Sequence, residues 1–91
     1  MLIPVVQILK SGLSYSLKEI YINPRKIIYM SEERSYRKSL TEGAIKLDLH
    51  PNTAFTRIKM SMNDHTEEII VIGGPQVIES KFFKVKKLLR D

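Results

Sequence analysis

The chain has 91 residues, with 15 Lys and Arg against 10 Asp and Glu for a net charge of +5, and 43% of its residues are hydrophobic. That length supports one core in one domain, 1–91, and a domain this small gains from self-association because it buries a smaller share of its surface than a large one. Cysteine is absent, which excludes disulfides and thiolate metal sites; no apolar run reaches membrane-spanning length, and Met1 to Leu9 lacks the basic start of a signal peptide, so a cytoplasmic location is expected.

Taken in order, Leu2 to Leu9 is mostly apolar and holds Val5, Val6 and Ile8, which predicts a first strand beginning after Pro4. Lys10 to Ser16, with Gly12 and its serines, reads as a loop, and Glu19-Ile20-Tyr21-Ile22 as a short second strand. Asn23-Pro24-Arg25-Lys26 breaks that strand, because proline cannot donate to a ladder and restricts the residue before it. A third strand starts at Ile27-Ile28-Tyr29-Met30 and runs out towards solvent through Ser31-Glu32-Glu33. From Arg34 to Phe55 two periods compete: Tyr36, Leu40, Ala44 and Leu47 recur at helical spacing, whereas Ile45, Leu47 and Leu49 recur at strand spacing. Gly43 costs a helix about 1 kcal/mol relative to alanine. A helix from about Tyr36 to Leu47 is the expectation, ended by His50-Pro51-Asn52.

The pattern sharpens after Thr56. Arg57 to Met62 alternates strictly, with Ile58, Met60 and Met62 on one side and Arg57, Lys59 and Ser61 on the other, the period of a half-buried strand. Asn63-Asp64-His65 supplies a turn, and Ile69 to Ile72 is continuously apolar, which predicts a hairpin whose second strand sits mid-sheet with both faces covered. Gly73-Gly74-Pro75 turns the chain into a helix. There Ile78, Phe82, Val85 and Leu89 form an apolar stripe for the sheet, with Lys81, Lys84, Lys86, Lys87 and Arg90 opposite it. Phe83 points away from the stripe by helical angle. The expected class is α+β: a small antiparallel sheet of four or five strands, a C-terminal amphipathic helix on one face, and an inserted segment at 34–55.

Candidate chemistry is sparse. His50 and His65 are the only histidines, and neither HExxH nor paired cysteines occur, so both read as turn residues and no metal site is expected. Ser11, Ser14 and Ser16 lack a GxSxG elbow, so no catalytic residue and no cofactor are assigned. Gly73 and Gly74 at a helix start form a candidate anion site, although no Lys-Ser/Thr follows and a plain strand-to-helix corner is the better reading. The basic residues remain. Arg34, Arg37 and Lys38 form one cluster, and Lys81, Lys84, Lys86, Lys87 and Arg90 another, with Tyr36 and Phe83 interleaved as candidate partner anchors. Such cations neutralise phosphates and an exposed aromatic stacks on a base, which makes nucleic acid or a nucleotide the leading partner class. The bland reading is a solvated lysine-rich face whose terminal charges complement the helix dipole.

A first strand, Tyr21-Ile22-Asn23-Pro24, a strand Ile27-Ile28-Tyr29-Met30 running to Glu32, then Thr56-Arg57-Ile58-Lys59-Met60, a strand at Ile69 to Ile72 and a closing Lys86-Lys87-Leu88-Leu89 together make a pattern. It resembles the FlbD-like small proteins associated with bacterial flagellar and swarming motility. The resemblance covers Val5 to Glu33 and Thr56 to Leu89, and departs at the segment Arg34 to Phe55 and at a hairpin turn without glycine. Small phage-encoded proteins share this longer layout. It implies a compact β-rich domain of regulatory type and carries over no catalytic residue. The expectation is therefore a non-catalytic regulatory module, a homo-oligomer that binds nucleic acid or another polyanion through its basic helix face. The alternatives are a protein-binding adaptor or inhibitor, and a phage-type oligomer that sequesters a small nucleotide.

Overall fold

The computed structural model describes the backbone of residues 1–90 and the side chains of residues 1–82. Its elements run β1 (Ile3–Ser11), β2 (Ser14–Ile22), a 3-10 turn (Pro24–Lys26), β3 (Ile27–Glu32), α1 (Arg34–Thr41), β4 (Phe55–Ser61), β5 (Thr66–Ile72) and α2 (Pro75–Arg90). The strands form one antiparallel five-stranded sheet in the order β2-β1-β5-β4-β3, and α2 packs on it. The expected α+β class is the one observed.

That strand order is a ring opened at one seam. Consecutive strands are neighbours except β2 and β3, and β1 pairs with β5. Ile22 and Ile27, which end one edge strand and begin the other, are five residues apart, a reach of at most about 18 Å. The outer strands of a flat five-stranded sheet lie about 19 Å apart before any offset along them. The 3-10 turn shortens the reach further. The sheet must therefore coil into an open half-barrel, and the packing agrees: Ile20 and Ile22 of β2 and Ile27 and Met30 of β3, from opposite edges, join one cluster with Ile3, Val5, Ile58, Met60, Val71 and Ile78. Residues of both edges thus pack toward the same face.

The convex face has its own core of Ile8, Leu40, Ile45 and Phe55, flanked by Tyr15, Tyr36, Leu47, Leu49, Ile70 and Ile72. Neighbouring residues of β5 thus serve opposite faces, which is why its sequence is apolar throughout, as expected for the central strand it is.

Three expectations fail locally. The loop expected at Lys10 to Ser16 is strand on both sides of a two-residue turn, Gly12-Leu13, with register from Ile3↔Ile22 to Ser11↔Ser14. Gly12 at φ +61 meets the positive angle this tight connection needs, and the serines belong to the ladder because pairing with a neighbour outweighs their own turn preference. Pro4 lies inside β1 and not before it, and its carbonyl accepts a hydrogen bond from Lys81 Nζ of α2 at 2.7 Å. The third failure is the helix expected from about Tyr36 to Leu47. It starts at Arg34 and stops at Thr41, because Gly43 takes φ +80 and two backbone bonds close the end, Gly43 N–H to Leu40 O at 3.1 Å and Ala44 N–H to Ser39 O at 2.8 Å. This is a Schellman closure, so the glycine terminates the helix outright and does not merely weaken it. Beyond it the chain runs as an irregular strap that lays Ile45, Leu47 and Leu49 on the convex core without joining a ladder.

One polar bond ties these layers. Thr56, fully buried at the start of β4, donates its hydroxyl to Gly73 O at 2.6 Å, while Gly73 N–H donates to Ala54 O at 2.8 Å. Gly73, at φ +109, is the corner from which α2 leaves the sheet. Among the described residues no helix is long and apolar enough to cross a membrane.

Candidate functional site

α1 sorts its residues by face. Tyr36 and Leu40 turn inward, and Tyr36 packs at 5.7 Å on Phe55 and edge-on at 6.3 Å to Tyr15. Arg34, Arg37, Lys38 and Thr41, at the spacings that share a helix face, turn outward. With Glu32 and Glu42 they surround an open groove of about 520 Å3. The three cations of the first predicted cluster are thus brought together, and Arg34 is 88% exposed at its side chain. Glu32 faces two of them, at 3.8 Å from Arg34 and 4.0 Å from Arg37. Exposed pairs at such distances are worth about 0–1 kcal/mol and exchange readily for a stronger anion. Lys38 makes no ion pair among the described residues.

The remaining predicted residues fare differently. Tyr36 belongs to the convex core and is not free to stack on a base. Lys81 is half-buried and turned back onto the Pro4 carbonyl, where it pins α2 to β1, so the expectation of a free cation there is corrected. Gly73 gives its N–H to Ala54, and Gly74 O accepts from Val77 and Ile78 at 3.0 and 3.1 Å, so Gly73 offers no donor to an anion and the corner is built for the turn. The predicted cations Lys84, Lys86, Lys87 and Arg90 and the anchor Phe83 lie outside the described side chains.

Beside α1 sits a charged knot that the sequence did not flag. Arg57 of β4 bonds Glu33 through its Nε at 2.8 Å and Glu68 of β5 through Nη1 at 2.6 Å. Glu33 also accepts the Ser35 hydroxyl at 2.6 Å, and that bond first, then Arg57, holds its carboxyl below the usual range. The Glu33 and Glu68 bonds push the Arg57 guanidinium to a still higher pKa than usual. This network ties the start of α1 to the sheet. Nothing in the spacing announces it, because alternation alone places Arg57 and Lys59 on a wet face.

Measured against known proteins, the chain matches no family model, no curated protein and no solved structure. Its site rests on its own geometry.

A second hollow, of about 420 Å3, opens on the concave face. Gln7, Ile20, Ile22, Met60 and Ile69 line it from within, and Met62 with Asn63 stands at its mouth. The alternating pattern expects Met62 to point into the core, yet it is 41% exposed, because β4 ends at Ser61 and the hairpin leaves the packed region. Close by, His65 sits between Asp64 at 2.6 Å and Glu67 at 3.1 Å, and these carboxylates, Asp64 first, raise its pKa. Among the described residues no group of three or more His, Cys, Asp or Glu is placed to hold a metal.

Proposed function

We propose that this chain is a non-catalytic regulatory binding module that takes nucleic acid or another polyanion on the basic face of α1. One observation carries the reading: Arg34, Arg37 and Lys38 project from one face of one helix into one open groove, with their carboxylate neighbours only loosely engaged. A phosphate backbone satisfies that arrangement because each cation it meets releases a condensed counterion. In this reading Lys84, Lys86, Lys87 and Arg90 add to the positive charge of the chain, and a homo-oligomer multiplies it. A cytoplasmic location suits both the reading and the absence of cysteine.

The test is anisotropy with a labelled single-stranded oligonucleotide across a salt series. Affinity should fall steeply with salt, and the triple variant Arg34→Gln, Arg37→Gln, Lys38→Gln should lower the slope by about 2, from about 0.7 per lost contact. Binding that ignores salt, or that survives the triple change, would refute the reading.

A protein-binding adaptor is the second reading, favoured by β2, whose nine residues form a free edge of the sheet. Such an edge pairs with an extended peptide through its backbone. Hydrogen exchange in the complex would then show new protection along Ser14–Ile22 and none on α1.

A further inference from the structure

Among the described residues the concave face is filled over only part of its length. Ile78 of α2 is fully buried against it, whereas the part bounded by Gln7, Ile20, Met60 and Ile69 stays open as the hollow of about 420 Å3. That volume is within the range of small-molecule sites, about 300–1,000 Å3, and the mouth of a curled sheet is a common place for one.

The lining specifies the chemistry. Its walls are aliphatic chains and the thioethers of Met60 and Met62, which adapt their shape and make favourable contacts with aromatic rings. Its uncharged polar residues are Gln7, Tyr21, Asn23, Ser61 and Asn63: the Gln7 and Asn63 amides make no side-chain hydrogen bond among the described residues, Asn23 accepts the Arg25 N–H on its Oδ1 at 3.0 Å, and the Tyr21 hydroxyl donates to Glu19 at 3.3 Å. Carboxamides present donors and acceptors together, and covering them with a group that cannot pair is unfavourable. The charges do not select an anion. Lys26 is the one cation at the rim, and Glu67 opposes it. This differs in kind from the α1 groove, where three cations face two carboxylates.

We propose that this hollow is a binding site for a small uncharged molecule, largely aromatic or alicyclic, with a carbonyl, amide or amine edge that pairs with Gln7 and Asn63. The site is separate from the basic face of α1 and does not depend on it.

The probe is N-phenyl-1-naphthylamine, an uncharged aromatic amine whose fluorescence rises in apolar surroundings, titrated into the full chain. Saturable enhancement with one probe per chain is expected, unchanged between about 0.05 and 0.5 M salt. Met62→Trp and Asn63→Trp, both at exposed positions, should fill the mouth and weaken the probe by at least about tenfold, or 1.4 kcal/mol. The Arg34→Gln, Arg37→Gln, Lys38→Gln variant should bind it as the native chain does. A measurement on the native chain removes any dependence on how the variants fold: in nitrogen-labelled protein, the side-chain amide signals of Gln7 and Asn63 should shift on titration. No enhancement, loss of binding with added salt, or shifts confined to residues away from Gln7 and Asn63 would each overturn the proposal.

Discussion

The two faces of the sheet are held together by different rules. On the concave face Ile3, Val5, Ile22, Ile58, Met60 and Val71 are strand residues at period two, and α2 adds Ile78. On the convex face strands contribute only Ile8 and Phe55 to the buried set; Leu40 comes from a two-turn helix and Ile45 from the aperiodic strap. A core built by period is secured wherever the ladders form. A core built by the path of a loop is secured only if that path is held at its ends, here by the Schellman closure at Gly43 and by the Gly73 N–H on Ala54 O. The concave core should unfold with the whole protein, and the convex one should open by itself.

Truncation puts that contrast under the greatest load. Ile58→Ala, at a fully buried concave position, should lose about 2–5 kcal/mol in denaturant melts and lower protection of all strands together. Ile45→Ala should cost toward the low end of that range, about 2 kcal/mol, since the strap can settle into the space, and should speed exchange mainly over 42–54. Equal, global effects from both would break the distinction. Next in size, Thr56→Val should lose about 1–3 kcal/mol, because Gly73 O is then left buried without its donor. Gly43→Ala meets no atom within 4 Å, so its effect isolates the backbone angle. About 1–2 kcal/mol is expected, with loosening of the strap and not of the strands.

The smallest effects are in pH, and they run in opposite directions at the start of α1 and at the β4–β5 turn. Glu33 has its pKa lowered, by the Ser35 hydroxyl first and Arg57 second, so its stabilisation is present above the unfolded carboxylate value and is lost as pH falls through the lower folded one. Glu33→Gln should flatten that acid limb in melts. His65 has its pKa raised by Asp64 and then Glu67, so what it adds is present below the unfolded imidazole value and fades as pH rises through the higher folded one. His65→Gln should erase a shallow slope near neutrality, read most clearly from exchange at the β4–β5 hairpin.

How much of this was legible follows the same division. Alternation from Arg57 to Met60, the β-branched run Ile69 to Ile72 and the Gly-Gly-Pro corner announced the second hairpin and the helix after it. Those signals work because each residue's neighbours along the chain determine its face. The first hairpin was hidden, since Ser11, Ser14 and Ser16 are strand residues only by virtue of the partner opposite them. In the segment after Arg34 the helical period holds only for Tyr36 and Leu40; Gly43 ends it, and Ile45, Leu47 and Leu49 reach the convex core from an irregular path and not from the strand their spacing suggested. The cluster of Arg34, Arg37 and Lys38 was readable from nearness in sequence, although the helix that puts them on one face begins before the expected start at Tyr36, whereas the retirement of Lys81 to a backbone carbonyl 77 residues away was not readable. The concave hollow left no trace in any one stretch, because its walls come from β1, β2, β4 and β5.

The pairing of β1 with β5 also sets a timetable. As the chain leaves the ribosome, β1 and β2 emerge as a hairpin whose inner edge has no companion until Thr66–Ile72 has been made. An isolated two-stranded ribbon is marginal in water, so Ile3 and Val5 stay accessible to chaperones, or to the same ribbon on a neighbouring nascent chain, until that strand appears. A closure of such high contact order belongs with folds that complete in about milliseconds to seconds, and the last strand, not the first, starts the clock.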